Sequence, residues 1–384
     1  MYDPIISIES IFFSILLSII LLCYGIIIYP IVKNSFKIES KNKWNSLLAL
    51  ILIIFIAIMI SLPLSDTTFY LFMPMNWYAV VVAGALGLVF YLVGYFSEKT
   101  SSEELHNRKL KEGMDEKLEK SILDTHNFTS KQELKRKIIH MSSGLFITAW
   151  ILEPLIFFGV QFLYQGIINT PSAENFLNAK LLFEDQNLLL ILNNGLIAHF
   201  FMLICLFMGN ANMEIVRLRF KKYNYILKRT LQKTRRPTEV NDLSASILLL
   251  LGLATSSIIL TYTGQDRILG IYAQMGVICI TVFSDMFAAL IGRKWGKHKW
   301  PIVKGKSYEG SIAGFLVGFF TAFLFVGPLL AFVGSMIFVI TDIGLDKIKI
   351  SDNASNPIIL SIVFKILIQL VSPVVIKLPI LKVW

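Results

Sequence analysis

The sequence predicts an all-α polytopic membrane protein of about ten transmembrane helices, with N-terminus and C-terminus outside and any active site at the cytoplasmic face. Three observations predict it. Of 384 residues, 55% are hydrophobic and only 16% are charged. Aliphatic runs of about twenty residues recur along most of the chain, each able to cross roughly 30 Å of hydrocarbon as a helix. The 36 Lys and Arg residues, against 26 Asp and Glu, gather in alternate loops. An ordinary soluble domain is excluded.

The first span, Ile11 to Val32, follows a leader that carries Asp3 and Glu9 but no basic residue, and it is too long for a cleavable signal peptide. Leu47 to Leu64 and Trp77 to Phe96 complete a three-helix membrane region over 1–96. Residues 97–134 are densely charged with nearly balanced signs, as expected of a solvated cytoplasmic connector and a domain boundary. The remaining region, 135–384, begins with spans Ile138 to Phe162, Leu188 to Met208, Leu243 to Tyr262 and Ile268 to Ile291. Ile312 to Val326, Leu329 to Ile343 and Ile358 to Ile376 complete it. Gly327-Pro328 separates the short eighth and ninth spans. One helix through both would be about 48 Å long at about 1.5 Å per residue, so a tight hairpin is expected there.

With this count, the loops after the odd-numbered spans hold nearly all the basic residues, which makes their side cytoplasmic. The opposite loops receive a sparse set that includes Asp66, Glu174, Lys180, Glu184, Asp185, Asp266 and Arg267. The basic excess is therefore a matter of topology and of attraction to anionic headgroups, and no nucleic-acid partner is expected. Cys23, Cys205 and Cys279 all fall in apolar runs and read as packing thiols.

Chemistry concentrates in Phe283 to Phe315. Asp285 falls about 9 Å below the cytoplasmic end of the seventh span at about 1.5 Å per residue, a depth at which a carboxylate needs a partner or an ion. Ala288, Ala289 and Gly292 clear one helix face above it, for close approach by either a ligand or another helix. In the following loop, Gly296, Gly305 and Gly310 allow amides to face an anion, while Arg293, Lys297, Lys299, Lys304 and Lys306 supply positive charge. Ser307, Glu309 and Ser311 open the eighth helix, whose free N–H groups are a natural seat for phosphate. Glu309 is the odd acid there, to be explained by magnesium or by pairing with Lys306. Gly305-Lys306-Ser307 is not a Walker A loop, because Trp300 stands where that motif requires glycine.

These stretches resemble the CTP-dependent lipid kinase family, which includes dolichol kinase, phytol kinase and CTP-using diacylglycerol kinase. The resemblance rests on Asp285, Ala288, Ala289, Gly292, Arg293, Gly296, Lys306, Ser307, Glu309, Gly310 and Ser311, with Ser284 replacing the usual glycine. It extends to Arg136, Lys137 and His140 at the start of the fourth span. Asp352, Asn353 and Pro357 near the C-terminus also match, with Asn356 where an aliphatic residue is usual. It covers roughly residues 135–376.

The resemblance implies transfer of a phosphoryl group from CTP to a membrane isoprenoid alcohol of the dolichol or polyprenol kind, with Mg2+ as cofactor. It implies Asp285, Lys306, His140 and Asp352 as catalytic residues, and Asp285, Glu309 and Asp352 around the metal. Arg136, Lys137, Arg293, Gly292, Gly296, Lys297, Ser307, Glu309, Gly310, Ser311 and Asn353 would bind the nucleotide and its phosphates. His140 and Asp352 both remain open as the base. Localisation follows as integral membrane: the plasma membrane of a prokaryote or the endoplasmic reticulum of a eukaryote. The sequence neither requires nor excludes a homodimer. A phosphatidate cytidylyltransferase carries a similar basic run, but the C-terminal signature of that enzyme is missing here. A transporter would be expected to show internal repeats, and none is evident.

Overall fold

The computed structural model describes residues 8–38, 40, 42–61, 84, 186–219, 243–261, 267–303, 305–348 and 350–370. Among these residues the protein is helical, with no strand and one isolated bridge between Lys299 and Ser307. The helices are α1 (Ile8–Lys37), α2 (Lys43–Ser61), α3 (Gln186–Arg219), α4 (Ala245–Thr261), α5 (Arg267–Cys279), α6 (Asp285–Lys294), α7 (Tyr308–Ile348) and α8 (Asp352–Leu370). Six stretches among the described residues are long and apolar enough to cross a membrane, and α4 is a shorter apolar helix. The expected third span except Gly84, the fourth span, the charged connector, and with them Arg136, Lys137 and His140, lie outside the described residues.

The α7 segment doubles back. Gly327 adopts φ 75° and ψ 175°, which breaks the helix just before Pro328. Glycine is needed because a side chain is strained at that positive φ, and the following proline cannot supply the N–H a continuing helix needs. The two arms, 308–326 and 328–348, return alongside each other, bringing the rings of Phe315 and Phe332 to 5.7 Å at 89°. The hairpin expected from Gly327-Pro328 is thus present.

Between α5 and α6 the chain continues through a π-helical turn, Ile280–Ser284. Such a turn reorients the helix beyond it, and this one ends immediately before Asp285. Lipid tails give no hydrophobic reward for bringing helices together, so close packing through small residues must hold them. Here Ser284, Ala288 and Gly292 on one side meet Gly310, Gly314 and Gly318 on the first arm of α7. A methyl group on Gly310 would lie 2.6 Å from the Ala288 carbonyl oxygen, and one on Gly314 would lie 3.1 Å from that of Ser284. The small-residue face above Asp285 is therefore occupied by a helix.

Two boundaries differ most from the sequence reading. The fifth span was expected to end at Met208, but α3 runs on to Arg219, because Glu214 and Arg217 neutralise each other one turn apart at 2.8 Å and are both buried. The last helix begins at Asp352 and passes through Pro357, where a loop was expected. Pro357 has no N–H to offer the Asn353 carbonyl, which packs instead over Gly252 of α4. All three cysteines are free thiols.

If the helix contact at Gly310 is as tight as this, Gly310→Ala should lower stability by about 1–3 kcal/mol through overpacking. Gly305→Ala should be nearly neutral, since nothing lies within 4 Å of a methyl group there. Thermal unfolding of the purified protein in detergent compares the two.

Candidate active site

Three carboxylates converge where the helices end. Asp285 opens α6, Asp342 lies near the end of the second arm of α7, and Asp352 opens α8. One carboxylate oxygen from each lies within 4.8 Å of the other two. The hairpin supplies one member, the π turn aims another, and the break between α7 and α8 sets the third. Asp285 and Asp352 are half-buried, and Asp342 is buried.

Like charges this close in a poorly solvated place repel strongly, and only a compensating cation makes the cluster tolerable. Lys306 provides one. Its ammonium donates to the Asp342 carboxylate at 2.8 Å and to the Asp342 backbone carbonyl. Among the described residues, three carboxylates against one ammonium leave a formal charge of about −2, which suits a divalent cation. The donors are hard oxygens converging on one point, the chemistry that magnesium prefers. The residues present therefore fit that ion.

Asp342 was not among the residues singled out from sequence, although the signal was available. It is an acid within the apolar ninth span, so the rule that flagged Asp285 applies to it equally. Glu309, expected at the metal, stands apart from the three. Its carboxylate accepts the amides of Lys297 and His298, each at 3.1 Å, and meets His298 Nδ1 at 2.7 Å.

Glu309 thereby fastens a compact loop over 295–307. Within it, the Trp300 amide donates to the Lys306 carbonyl at 3.0 Å, and the Tyr308 amide donates to the His298 carbonyl at 3.0 Å. Trp300 lies against the Tyr308 ring with centroids 3.9 Å apart, and its indole N–H donates to Ser311 Oγ at 3.0 Å. Arg293, Lys297 and Lys299 are exposed around this frame. Fixing the loop is what holds Lys306 at the carboxylates.

The first turn of α7 has little left for an anion. Ser307 caps the helix, its Oγ accepting the Gly310 amide at 3.2 Å, and the Ser311 amide donates to the Ser307 carbonyl at 3.0 Å. The Tyr308 amide is committed to His298, and Glu309 accepts its own amide. Phosphate binding by these amides, expected from sequence, finds its donors already engaged. Gly292 and Gly310 likewise face each other: a methyl group on Gly310 would lie 2.9 Å from the Gly292 Cα. Gly296 is pressed against the Gly292 carbonyl and the Ser307 side chain. Arg293, Lys297 and Lys299 are exposed at this loop.

Asn353 turns its side-chain amide back to Ser351 Oγ at 3.4 Å. Lys365 lies about 20 Å along α8 from Asp352 at about 1.5 Å per residue, too far to join the cluster. His199 is fully buried, with Nε2 3.4 Å from the Gln274 amide nitrogen, and Gln274 is held in turn by Ser256 at 2.7 Å. It belongs to the α3, α4 and α5 packing.

Comparison with known proteins identifies the family. The sequence model of the cytidylyltransferase family matches residues 134–374. The chain belongs to that family. Members similar to it include the CTP-dependent diacylglycerol kinase 1 of Saccharomyces cerevisiae, 27% identical over 201 residues, which are 52% of this chain and 53% of the relative. The protein of the same name from Schizosaccharomyces pombe is 26% identical over 114 residues, 30% of this chain and 48% of the relative. The chain thus spans about half the length of the curated relatives it matches. No solved structure matches it significantly. The CTP-dependent lipid kinase resemblance is borne out by these cytidylyltransferase-family relatives, and Asp285, Lys306, Asp342 and Asp352 all fall inside the matched residues.

Replacing Glu309 by Gln removes the charge that gathers the Lys297 and His298 amides and pairs with His298 Nδ1. Amide exchange over residues 296–299 is then expected to speed up several-fold, while exchange in α8 stays unchanged. Hydrogen exchange read by mass spectrometry checks it.

Proposed function

We propose that this chain is a CTP-dependent lipid kinase that transfers the γ-phosphoryl group of CTP to the hydroxyl of a membrane-dissolved lipid alcohol. The observation that carries the reading is the convergence of Asp285, Asp342 and Asp352, with Lys306 tied to Asp342. Phosphoryl transfer needs charge neutralised and reactants positioned more than it needs covalent help from the protein. Asp285, Asp342 and Asp352 would hold Mg2+, which neutralises triphosphate charge when bound. Lys306 offsets part of the cluster's charge, and stands ready to balance phosphate charge when the nucleotide arrives.

In the reaction the acceptor oxygen forms a bond to the γ-phosphorus, and the bond from that phosphorus to the CDP oxygen breaks. The hydroxyl proton leaves to a base or to solvent, giving lipid phosphate and CDP. Asp352 is the candidate base among the described residues, and His140 is the other candidate. The lipid enters sideways from the bilayer, since the cluster lies at the ends of membrane helices.

For the acceptor, the two diacylglycerol kinase relatives support diacylglycerol ahead of the isoprenoid alcohols implied by the sequence motifs. The reaction belongs to the cytoplasmic face if the basic loops lie inside, because CTP is found there. The name of the matched family supports one rival: attack of a phosphatidate oxygen on the α-phosphorus of CTP, releasing pyrophosphate and leaving a CDP-lipid.

Purified protein incubated with Mg2+ and γ-labelled CTP should pass label to the organic phase with diacylglycerol, and less with dolichol, polyprenol or phytol. Label from α-labelled CTP in the organic phase would instead establish the rival. Asp285→Asn and Asp342→Asn should each reduce turnover by at least about a hundredfold, and Lys306→Ala by a similar factor. Turnover near wild type in Asp342→Asn would remove that residue from the site.

A further inference from the structure

The first two helices lie outside the matched residues, which begin at 134. They nevertheless reach the site. α1 and α2 form a tight pair: Ser18 Oγ donates to the Ala57 carbonyl at 2.9 Å, and Phe36 packs edge-on against Trp44 with centroids 5.4 Å apart across their connection. The pair is anchored to α3, where the buried Tyr24 hydroxyl donates to Asn212 Oδ1 at 3.0 Å. At the opening turn of α2, Asn45 Oδ1 accepts the backbone amide of Ser351 at 2.7 Å.

Ser351 immediately precedes Asp352. It is the capping position of α8, with its carbonyl accepting the Ser355 amide at 3.2 Å and its hydroxyl accepting from Asn353. Its own N–H points away from the α8 ladder, and Asn45 is what receives it. The connection from α7 is otherwise tied by the Ile350 amide, which donates to the Leu345 carbonyl at 3.2 Å. A ligand carboxylate must be held to within about 0.5 Å of its working position, so the tether that seats this turn bears directly on Asp352.

We propose that Asn45 is a positioning residue for the active site: from a helix outside the matched segment, it fixes the Ser351 turn and so holds Asp352 against Asp285 and Asp342. The α1–α2 pair then acts as a buttress for the carboxylate cluster as well as an anchor. The proposal rests on the reading of the three aspartates as a divalent-cation site.

The test uses the full chain in detergent, with Mn2+ as probe, bound ion counted by electron paramagnetic resonance, and thermal unfolding measured in parallel. Asn45→Ala should weaken Mn2+ binding about tenfold, the value of one well-made hydrogen bond, with little change in unfolding temperature. Asn45→Asp, which keeps an acceptor oxygen, should restore most of the affinity. If Asn45→Ala does not fold, Asn45→Gln, whose acceptor is displaced by one methylene, takes its place in the same comparison. Wild-type Mn2+ affinity in Asn45→Ala, alongside lost affinity in Asp352→Asn, would overturn the positioning role and leave the metal reading standing. Unchanged affinity in Asp352→Asn would overturn both. Equal losses in Asn45→Ala and Asn45→Asp that track unfolding temperature would overturn the positioning role in favour of plain stability.

Discussion

Three carboxylates held within 4.8 Å of one another in a helical membrane bundle set the problem that the surrounding structure solves. In a poorly solvated place their mutual repulsion would drive the helix ends apart. The Lys306 ammonium answers part of that repulsion through Asp342. Lys306 can do so only because its loop is folded, and that folding depends on Glu309, Trp300 and the Ser307 cap. Charge balance at one point thus reaches outward through a loop, a hairpin and a helix start.

The same constraint explains why small residues line the contact between α6 and the first arm of α7. Asp285 and Lys306 come from opposite sides of this contact, so the two helices must approach until their backbones nearly touch. Gly310, with the Ala288 carbonyl and the Gly292 Cα against it, permits that distance, and a larger residue would lever the lysine away from the acids. A motif that reads as phosphate-binding chemistry is here also a packing device for holding two charged groups in register.

Much of this was legible in the sequence, and the remainder was hidden for physical reasons. Asp285 stood out because charge in an apolar run demands an explanation, Lys306 because it sits in a basic, glycine-bearing loop before a helix start, and Asp352 through the family resemblance. The turn at Gly327-Pro328 was legible from helix length and from two residues that cannot continue a helix. The small face of Ala288 and Gly292 was ambiguous, because a ligand and a neighbouring helix ask for the same spacing. The repeat of glycine at 310, 314 and 318 matches that spacing and identifies the partner, but only once the two stretches are known to lie side by side. Asp342 carries the same signal as Asp285, an acid within an apolar span, yet was not singled out. Its meaning depends on a hairpin that returns it to Lys306, a contact between residues far apart in the chain. Glu309 shows the converse: a motif acid identifiable in sequence, whose partners are backbone amides that no residue pattern announces.

Asn45 belongs to this last kind. Nothing in an isolated asparagine at a helix start marks it, since such residues ordinarily satisfy their own helix end. Its significance comes from where α2 is docked, and that is decided by packing against α1 and α4 and by the Tyr24 bond to Asn212. Membrane bundles lack the hydrophobic drive that makes soluble cores self-centring, so polar tethers between helices carry more of the geometric specification. A cluster of ion-holding side chains, which tolerates little positional error, is where such a tether matters most. The α1–α2 pair thereby bears on the site through a backbone amide, that of Ser351 held by Asn45.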